Sequence, residues 1–199
     1  MTLVLASASP RRQELLRNAG IEFAVQPANI PEIRLPSESP KEFAERMAKE
    51  KASAIWNDAG SAHPLQRAQR GGATTVLGAD TVVAVEDQVL GKPRDSEDAV
   101  RMLRLLSGRK HSVITGVCLL ADGFEDIRSE TTAVYFSELS EPEIRSYVDS
   151  GETMDKAGAY AIQGLASRWI SKIEGDYNNV VGLPVDLVLR MLREQTLVD

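Results

Sequence analysis

The sequence predicts an α/β fold in which helices pack on a mixed or largely antiparallel β-sheet. Three observations carry that expectation. Capped segments with helical periodicity recur along the chain, and between them lie short aliphatic and β-branched runs bounded by turn signals. The two kinds of segment also mix without the even strand–helix beat of a parallel barrel. With 199 residues, no internal repeat and no clean linker, one unit spanning 1–199 with a substantial buried core is expected.

The first strand is expected over 3–6, and it runs straight into Ser7-Ala8-Ser9-Pro10-Arg11-Arg12. Ser9 suits a helix cap, and Pro10 suits the first helical position because the amide it lacks has no partner there. The free amides and positive dipole end of that helix form an anion site, with Arg11 and Arg12 beside it. A strand over 23–26 follows. Ser39-Pro40-Lys41-Glu42 has capping-box spacing and opens a helix to about Trp56. The stretch 57–73, rich in Ala, Gly, Arg and Gln, reads as a long loop and a peripheral insertion.

Strands are expected over 75–85 and 89–91, joined by a turn at Glu86-Asp87-Gln88. Asp95-Ser96-Glu97-Asp98 opens a helix carrying Met102, Leu103 and Leu106 that stops at Gly108. Strands over 112–120 and 131–136 come next, with a turn at Asp122-Gly123. Ser140-Glu141-Pro142-Glu143 repeats the capping-box form ahead of Tyr147 and Val148. A strand over 169–173 precedes a last helix that starts at Pro184 and turns Leu187, Val188, Met191 and Leu192 inward.

Composition narrows the function. Hydrophobic content of 43% and charged content of 26% are ordinary for a soluble globular protein, and no stretch approaches the ~18 apolar residues of a membrane span. The start of the chain lacks the basic region and cleavage site of a secretory leader. Cys118 is the one cysteine, so no intramolecular disulfide forms and a cytoplasmic location is expected. A net charge of −6 argues against electrostatically driven nucleic-acid binding. With only His63 and His111, histidine-rich metal sites and Ser-His or Cys-His catalysis are disfavoured.

Candidate functional residues are polar groups that interrupt apolar rows. Arg12 precedes Leu15, Leu16 and Ala19 at helical spacing, so it lies on the inner face; it is either a snorkelling arginine or an anion ligand. Phe43, Met47, Lys51 and Ile55 fall four apart, so Lys51 breaks a buried row and requires an acidic partner opposite it, as a structural pair or as part of a site. Lys49, by contrast, pairs with Glu45 at i,i+4 as a solvated residue. Asp80 interrupts Val76-Leu77-Gly78-Ala79-Asp80-Thr81-Val82-Val83-Ala84-Val85, a strand that reads as buried on both faces. Such a carboxylate costs several kcal/mol unless paired, protonated or bound to a cation, which favours a catalytic or metal-binding role over a structural one.

Other signals are weaker. Lys92 in Gly91-Lys92-Pro93 lacks the glycine spacing of a Walker motif and alone reads as a turn residue. Glu32 in Ile30-Pro31-Glu32 and Thr81 in its strand are unremarked by spacing alone. The small-residue segment Gly158-Ala159-Tyr160-Ala161-Ile162-Gln163-Gly164 is either a tight loop or a place where backbone approaches a ligand, with Gln163 able to donate and accept. Three cations, a carboxylate in an apolar strand and a helix amino terminus together describe phosphate chemistry. Magnesium with carboxylates and basic residues around a polyphosphate would satisfy all of them.

The chain carries, in order, Ala6-Ser7-Ala8-Ser9-Pro10-Arg11-Arg12, the segment from Arg46 ending in Glu50-Lys51-Ala52, Leu77-Gly78-Ala79-Asp80-Thr81 and Gly91-Lys92-Pro93. Asp155-Lys156-Ala157-Gly158-Ala159-Tyr160, Ile162-Gln163-Gly164 and Val181-Gly182-Leu183-Pro184 follow. This ordered set resembles the Maf family of nucleoside triphosphate pyrophosphatases. The resemblance implies an elongated α/β fold in two lobes around a cleft, similar to the inosine triphosphate pyrophosphatases, and a homodimer. It implies hydrolysis of a nucleoside triphosphate to the monophosphate and pyrophosphate with a divalent cation, Mg²⁺ or Mn²⁺. Asp80 would accept the proton of the attacking water and, with Glu32, hold the metal. Ser7, Arg11, Arg12, Lys51 and Lys92 would bind the triphosphate.

The branch that acts on dTTP and UTP is the most similar, through Arg12, Thr81 and Gln163 as specificity positions. A glutamine amide complements the imide edge of thymine or uracil, although it can also pair with adenine. Limiting the incorporation of modified nucleotides would follow from such an activity. The resemblance leaves two alternatives: a nucleotide-sensing regulator of septum formation that needs no catalysis, and a pyrophosphatase for modified purine triphosphates.

Overall fold

A computed structural model describes residues 2–57 and 74–195. It contains β1 (Thr2–Leu5), α1 (Pro10–Asn18), β2 (Phe23–Val25) and α2 (Pro40–Asn57). Next come β3 (Thr74–Val85), β4 (Gln88–Leu90), α3 (Ser96–Leu106), β5 (Lys110–Ala121) and β6 (Phe124–Phe136). The chain continues through α4 (Glu141–Asp149), two short 3₁₀ turns, β7 (Ile170–Glu174), α5 (Tyr177–Val181) and α6 (Val185–Gln195). Residues 58–73 of the expected insertion lie outside the described residues.

The caps form as their residue types dictate. The Ser9 side chain accepts from the Arg12 amide and Pro10 sits in the first turn of α1. Ser39 and Glu42 close a reciprocal box at 3.2 and 2.8 Å. Asp95 accepts from the Asp98 amide at 2.8 Å, and Glu143 reaches back to the Ser140 amide at 2.8 Å.

The sheet has seven strands in the order β2-β1-β3-β5-β6-β7, with β4 paired to β3. It is mixed: β1 runs parallel to β2 and β3, while β3–β4 and β6–β7 are antiparallel. Contacts group the described residues into two units. The first runs to Asp80 and adds Thr115–Glu130 and the chain from Gly182; the second comprises Thr81–Ile114 and Thr131–Val181. β3, β5 and β6 therefore each supply residues to both units.

In the first unit one apolar cluster joins Leu3, Leu5, Leu16, Leu77 and Leu119 to the inward face of α6, with Leu187, Val188, Met191 and Leu192 as expected. A second cluster, including Val4, Ala48, Ala52, Val76 and Cys118, lies beneath α2. Burial raises the Cys118 thiol to about 12, so it is an inert core residue. In the second unit Val83, Leu103, Phe136, Tyr147, Tyr160 and Trp169 are among the residues that close a separate core.

Two expectations need correction. β6 begins at Phe124, not at residue 131, because Phe124-Glu125-Asp126-Ile127-Arg128-Ser129-Glu130 is half-exposed and charged, and ladder pairing overrides its weak propensity. Lys49 does not take Glu45: its ammonium meets Glu125 on that extra stretch of β6 at 2.9 Å. Glu45 instead accepts from the Ser129 hydroxyl at 2.6 Å and pairs with Lys41 at 3.8 Å.

Candidate functional site

The site in the first unit begins with a close approach of α2 to the sheet. Gly78 on β3 and Gly116 on β5 face the row Ala44, Ala48, Ala52 on α2. A Cβ on Gly78 would stand 2.1 Å from the Ala48 carbonyl oxygen, and one on Gly116 would stand 2.2 Å from that of Ala44. Missing side chains on the strands and methyls on the helix let the two backbones nearly touch. Gly78 and Asp80 are two apart on β3 and share its helix-facing side. Lys51, between Ala48 and Ala52 in sequence, is thus delivered onto Asp80.

The ion pair is short and buried. Lys51 Nζ lies 2.5 Å from Asp80 Oδ1, with side-chain exposures of 9% and 8%. The same ammonium bonds Glu32 Oε1 at 2.6 Å. The acidic partner that a lysine in a buried row requires is therefore two carboxylates, 29 and 19 residues away in sequence. Burial pushes the Asp80 carboxyl above its ordinary range, opposed by the nearby Lys51 and Arg12 charges.

Arg12 completes this corner. It is buried on the inner face of α1 with Leu16. Its Nε donates to the Gly182 carbonyl at 2.8 Å, and Nη1 donates to the Ala79 carbonyl at 2.9 Å and the Ser7 hydroxyl at 3.2 Å. Burial lowers its pKa, with the Asp80 and Glu32 charges opposing that effect. Ser7 also accepts from the Ser9 amide at 3.2 Å, so the loop before α1 is bound to the arginine that the helix presents. Arg11 is half-buried on the same first turn.

Ser7, Arg12, Glu32, Lys51 and Asp80 are thus brought together, and Arg12 is neither a snorkelling residue nor solvent-facing. Thr81 follows Asp80 on β3 with its side chain on the opposite face. Lys92 and Gln163 belong to the second unit, and both are exposed. There the Gly158 amide donates to the Gly91 carbonyl at 3.0 Å, tying the Lys92 segment to the Gly158–Gly164 loop. Ala161 donates to the Tyr147 hydroxyl at 3.2 Å, and the Glu152 carboxylate accepts from the Leu165 amide at 3.1 Å. Gly158 and Ala159 both have positive φ, 69° and 61°, so this is a specifically shaped loop.

Sequence reasoning missed three contributors. The Gly78–Ala48 approach was legible as glycines on strands opposite alanines spaced four apart on a helix. The carbonyls of Ala79 and Gly182 that hold Arg12, and the Arg46–Glu38 pair described below, left no such signal.

A family model described as Maf-like protein matches residues 2–195, nearly the whole chain. The chain belongs to the Maf family. Among similar Maf proteins, the dTTP/UTP pyrophosphatase of Koribacter versatilis is 50% identical over 193 residues, covering 97% of this chain and 94% of that protein. The dTTP/UTP pyrophosphatase of Syntrophomonas wolfei subsp. wolfei is 48% identical over 190 residues, 94% of each. Among solved structures, the Staphylococcus aureus Ham1 protein aligns over 98% of this chain and 100% of its own, with 12% identity and a TM-score of 0.47. Among the described residues, no helix is long and apolar enough to cross a membrane.

Proposed function

We propose that this Maf protein hydrolyses dTTP and UTP to the nucleoside monophosphate and pyrophosphate. The observation that carries the reading is the buried Asp80 carboxylate, set between Lys51 and the helix terminus that presents Arg12. The names of the relatives at about half identity supply the substrates. Water attacks the α-phosphorus, the bond from that phosphorus to the α–β bridging oxygen breaks, and pyrophosphate departs. Asp80 takes the proton of the attacking water. Burial raises its pKa and with it its basicity, while the Lys51 and Arg12 charges favour its ionised form.

Arg12, Ser7 and Arg11, at the positive dipole end of α1, bind phosphate oxygens, and Lys51 and, on the family resemblance, Lys92 neutralise the charge that builds on them. Lys51 acts from its place between two carboxylates, so a bound phosphate shares it with Asp80. Thr81 and Gln163 select the base, with Gln163 offering one donor and one acceptor to an imide edge.

The residues present fit a divalent cation. Glu32 and Asp80 already direct oxygen atoms at one positive centre, the Lys51 ammonium, and hard oxygen donors are what Mg²⁺ or Mn²⁺ selects. Among the described residues no group of three or more His, Cys, Asp or Glu gathers to hold a metal, so substrate phosphates and water would supply the remaining donors. When bound, such an ion would act as a Lewis acid on the phosphate oxygens. A cytoplasmic homodimer that forms no stable complex with nucleic acid belongs to the same proposal, on the family resemblance and the net charge.

The test is a turnover screen of purified protein across canonical and modified nucleoside triphosphates with Mg²⁺ and Mn²⁺, with Asp80→Asn as the partner variant. Pyrophosphate release from dTTP and UTP is expected. Asp80→Asn should keep the fold, with Lys51 still paired to Glu32, yet lose at least about 10²–10⁴ in kcat, the range of a general base. Cleavage of a modified purine triphosphate with no action on dTTP or UTP would overturn the substrate assignment. Full activity in Asp80→Asn would remove Asp80 from the chemistry.

A further inference from the structure

Glu32 reaches Lys51 from a stretch of chain that belongs to no helix or strand. Between the end of β2 at Val25 and the start of α2 at Pro40 the backbone is irregular, and the Glu32 side chain is 42% exposed. An acidic residue on such a segment needs an external hold to keep one carboxylate oxygen 2.6 Å from a buried ammonium.

A guanidinium on α2 supplies one. Arg46, on α2 five residues before Lys51, donates through Nη2 to the carbonyl of Ile33, the residue after Glu32, at 2.8 Å. It also grips Glu38 at the far end of the segment, through Nε at 2.5 Å and Nη2 at 2.9 Å. Its Nη1 bonds Glu50 one turn on at 2.7 Å, which fixes the guanidinium plane against the helix. Glu38 passes the constraint back along the segment: its carboxylate accepts from the Leu35 amide at 3.0 Å, and its carbonyl accepts from Arg34 Nε at 2.9 Å. The Glu38 side chain is 8% exposed, and the Arg46 hydrogen bonds hold its carboxyl below the usual range.

We propose that Arg46 is a positioning residue: by fastening Ile33 and Glu38 to α2, it sets Glu32 against Lys51 beside Asp80. Ile33 and Glu38 are both fastened to the helix that carries Lys51, so Glu32, Lys51 and the clasp share one frame. A planar fork with five donors can serve Ile33, Glu38 and Glu50 together, and an ammonium cannot match that geometry. The functional part of the proposal rests on the reading of Glu32 as a carboxylate that works beside Asp80.

A double-mutant cycle in the full chain tests it, using Glu32→Gln, Arg46→Met, both together, and Arg46→Lys. kcat and KM for dTTP are measured with Mg²⁺, and amide exchange is followed over 32–38. Arg46→Met and Glu32→Gln are each expected to lower kcat by about 10- to 100-fold, the scale of a misplaced catalytic group. The double variant should fall no more than about threefold below the worse single, since residues acting through one another do not add. Arg46→Lys should recover part of the loss, and amide exchange over 32–38 should speed up in Arg46→Met. If Arg46→Met fails to fold, Glu38→Gln replaces it in the cycle with the same expectations.

Losses that multiply, or unchanged exchange over 32–38, would overturn the positioning role whatever turnover does. Parent-like kcat in Glu32→Gln would instead sink the reading of Glu32, and the functional part of this proposal with it.

Discussion

Replacing Gly78 with alanine adds one carbon where α2 and β3 almost touch. The new Cβ would lie 2.1 Å from the Ala48 carbonyl oxygen and 2.9 Å from both the Ala52 amide nitrogen and its Cβ. These are backbone atoms and a methyl, so no flexible side chain can swing aside. Restoring ordinary contact requires the helix to withdraw by at least about 1.3 Å, and overpacking of this kind costs about 1–3 kcal/mol. For a protein of this size about 2 kcal/mol lowers Tm by roughly 4–8 °C. The withdrawal acts on the turn that carries Lys51, which bonds Asp80 at 2.5 Å. An error of that size at a reacting group costs up to about 10² in rate, so kcat for dTTP should fall about 10- to 100-fold.

Thermal melts and pyrophosphate release read the two effects separately. Gly116→Ala is the informative companion, since its Cβ would meet the Ala44 carbonyl oxygen at 2.2 Å. It should destabilise similarly but affect kcat less, because Ala44 lies two helical turns from Lys51. A Cβ on Gly91 meets nothing within 4 Å, so Gly91→Ala should leave Tm unchanged. If Gly78→Ala melts within a degree of the parent and turns over at its rate, the close approach does not build the site.

Two further outcomes follow from the same chemistry. Lys51→Met strands two carboxylates, one of them buried, and should cost about 3–5 kcal/mol in denaturant melts at neutral pH. The Asp80 carboxyl is raised by burial even with its partner, so the folded state binds the extra proton. The Lys51→Met penalty should therefore shrink as pH falls through the folded-state pKa; a penalty independent of pH would exclude Asp80 as its source. His111 runs the other way. It is buried, its Nε2 lies 2.8 Å from the Tyr160 hydroxyl, and burial lowers its pKa to about 4 from 6.5. Its stabilising effect is complete above the unfolded value and is lost as pH falls from about 6.5 toward 4, on the order of 3 kcal/mol in all. His111→Leu should flatten the stability profile in that window, and an unchanged slope would assign the acid sensitivity elsewhere.

Much of the site was legible because burial makes strong demands on polar groups. Asp80 stood out in an apolar strand and Lys51 in an apolar helical row. Arg12 was separated from Arg11 by helical phase alone. What stayed hidden was pairing at long range. The Lys51 row demanded an acid without naming one, and Glu32, exposed and on irregular backbone, had no pattern to mark it. The Lys49–Glu45 expectation failed for the same reason: i,i+4 spacing permits a pair, but the extended β6 put Glu125 closer to hand.

The sequence by itself determined the local structure of this Maf protein: the capped helices, the doubly buried strand, and the order of motifs that places it in its family. These are settled within a turn of helix or a pair of strand residues, where backbone sterics and amide satisfaction act. The tertiary structure alone decided which groups meet. The β1–β3 register aligns Leu5 with Leu77 and Val4 with Val76, so the loop holding Ser7 and the first turn of α1 emerge beside Ala79 and Asp80. Two glycines then set how closely α2 can lie, and hence whether Lys51 reaches Asp80. Strand register and interlayer spacing are properties of packed surfaces, which no local window of sequence contains.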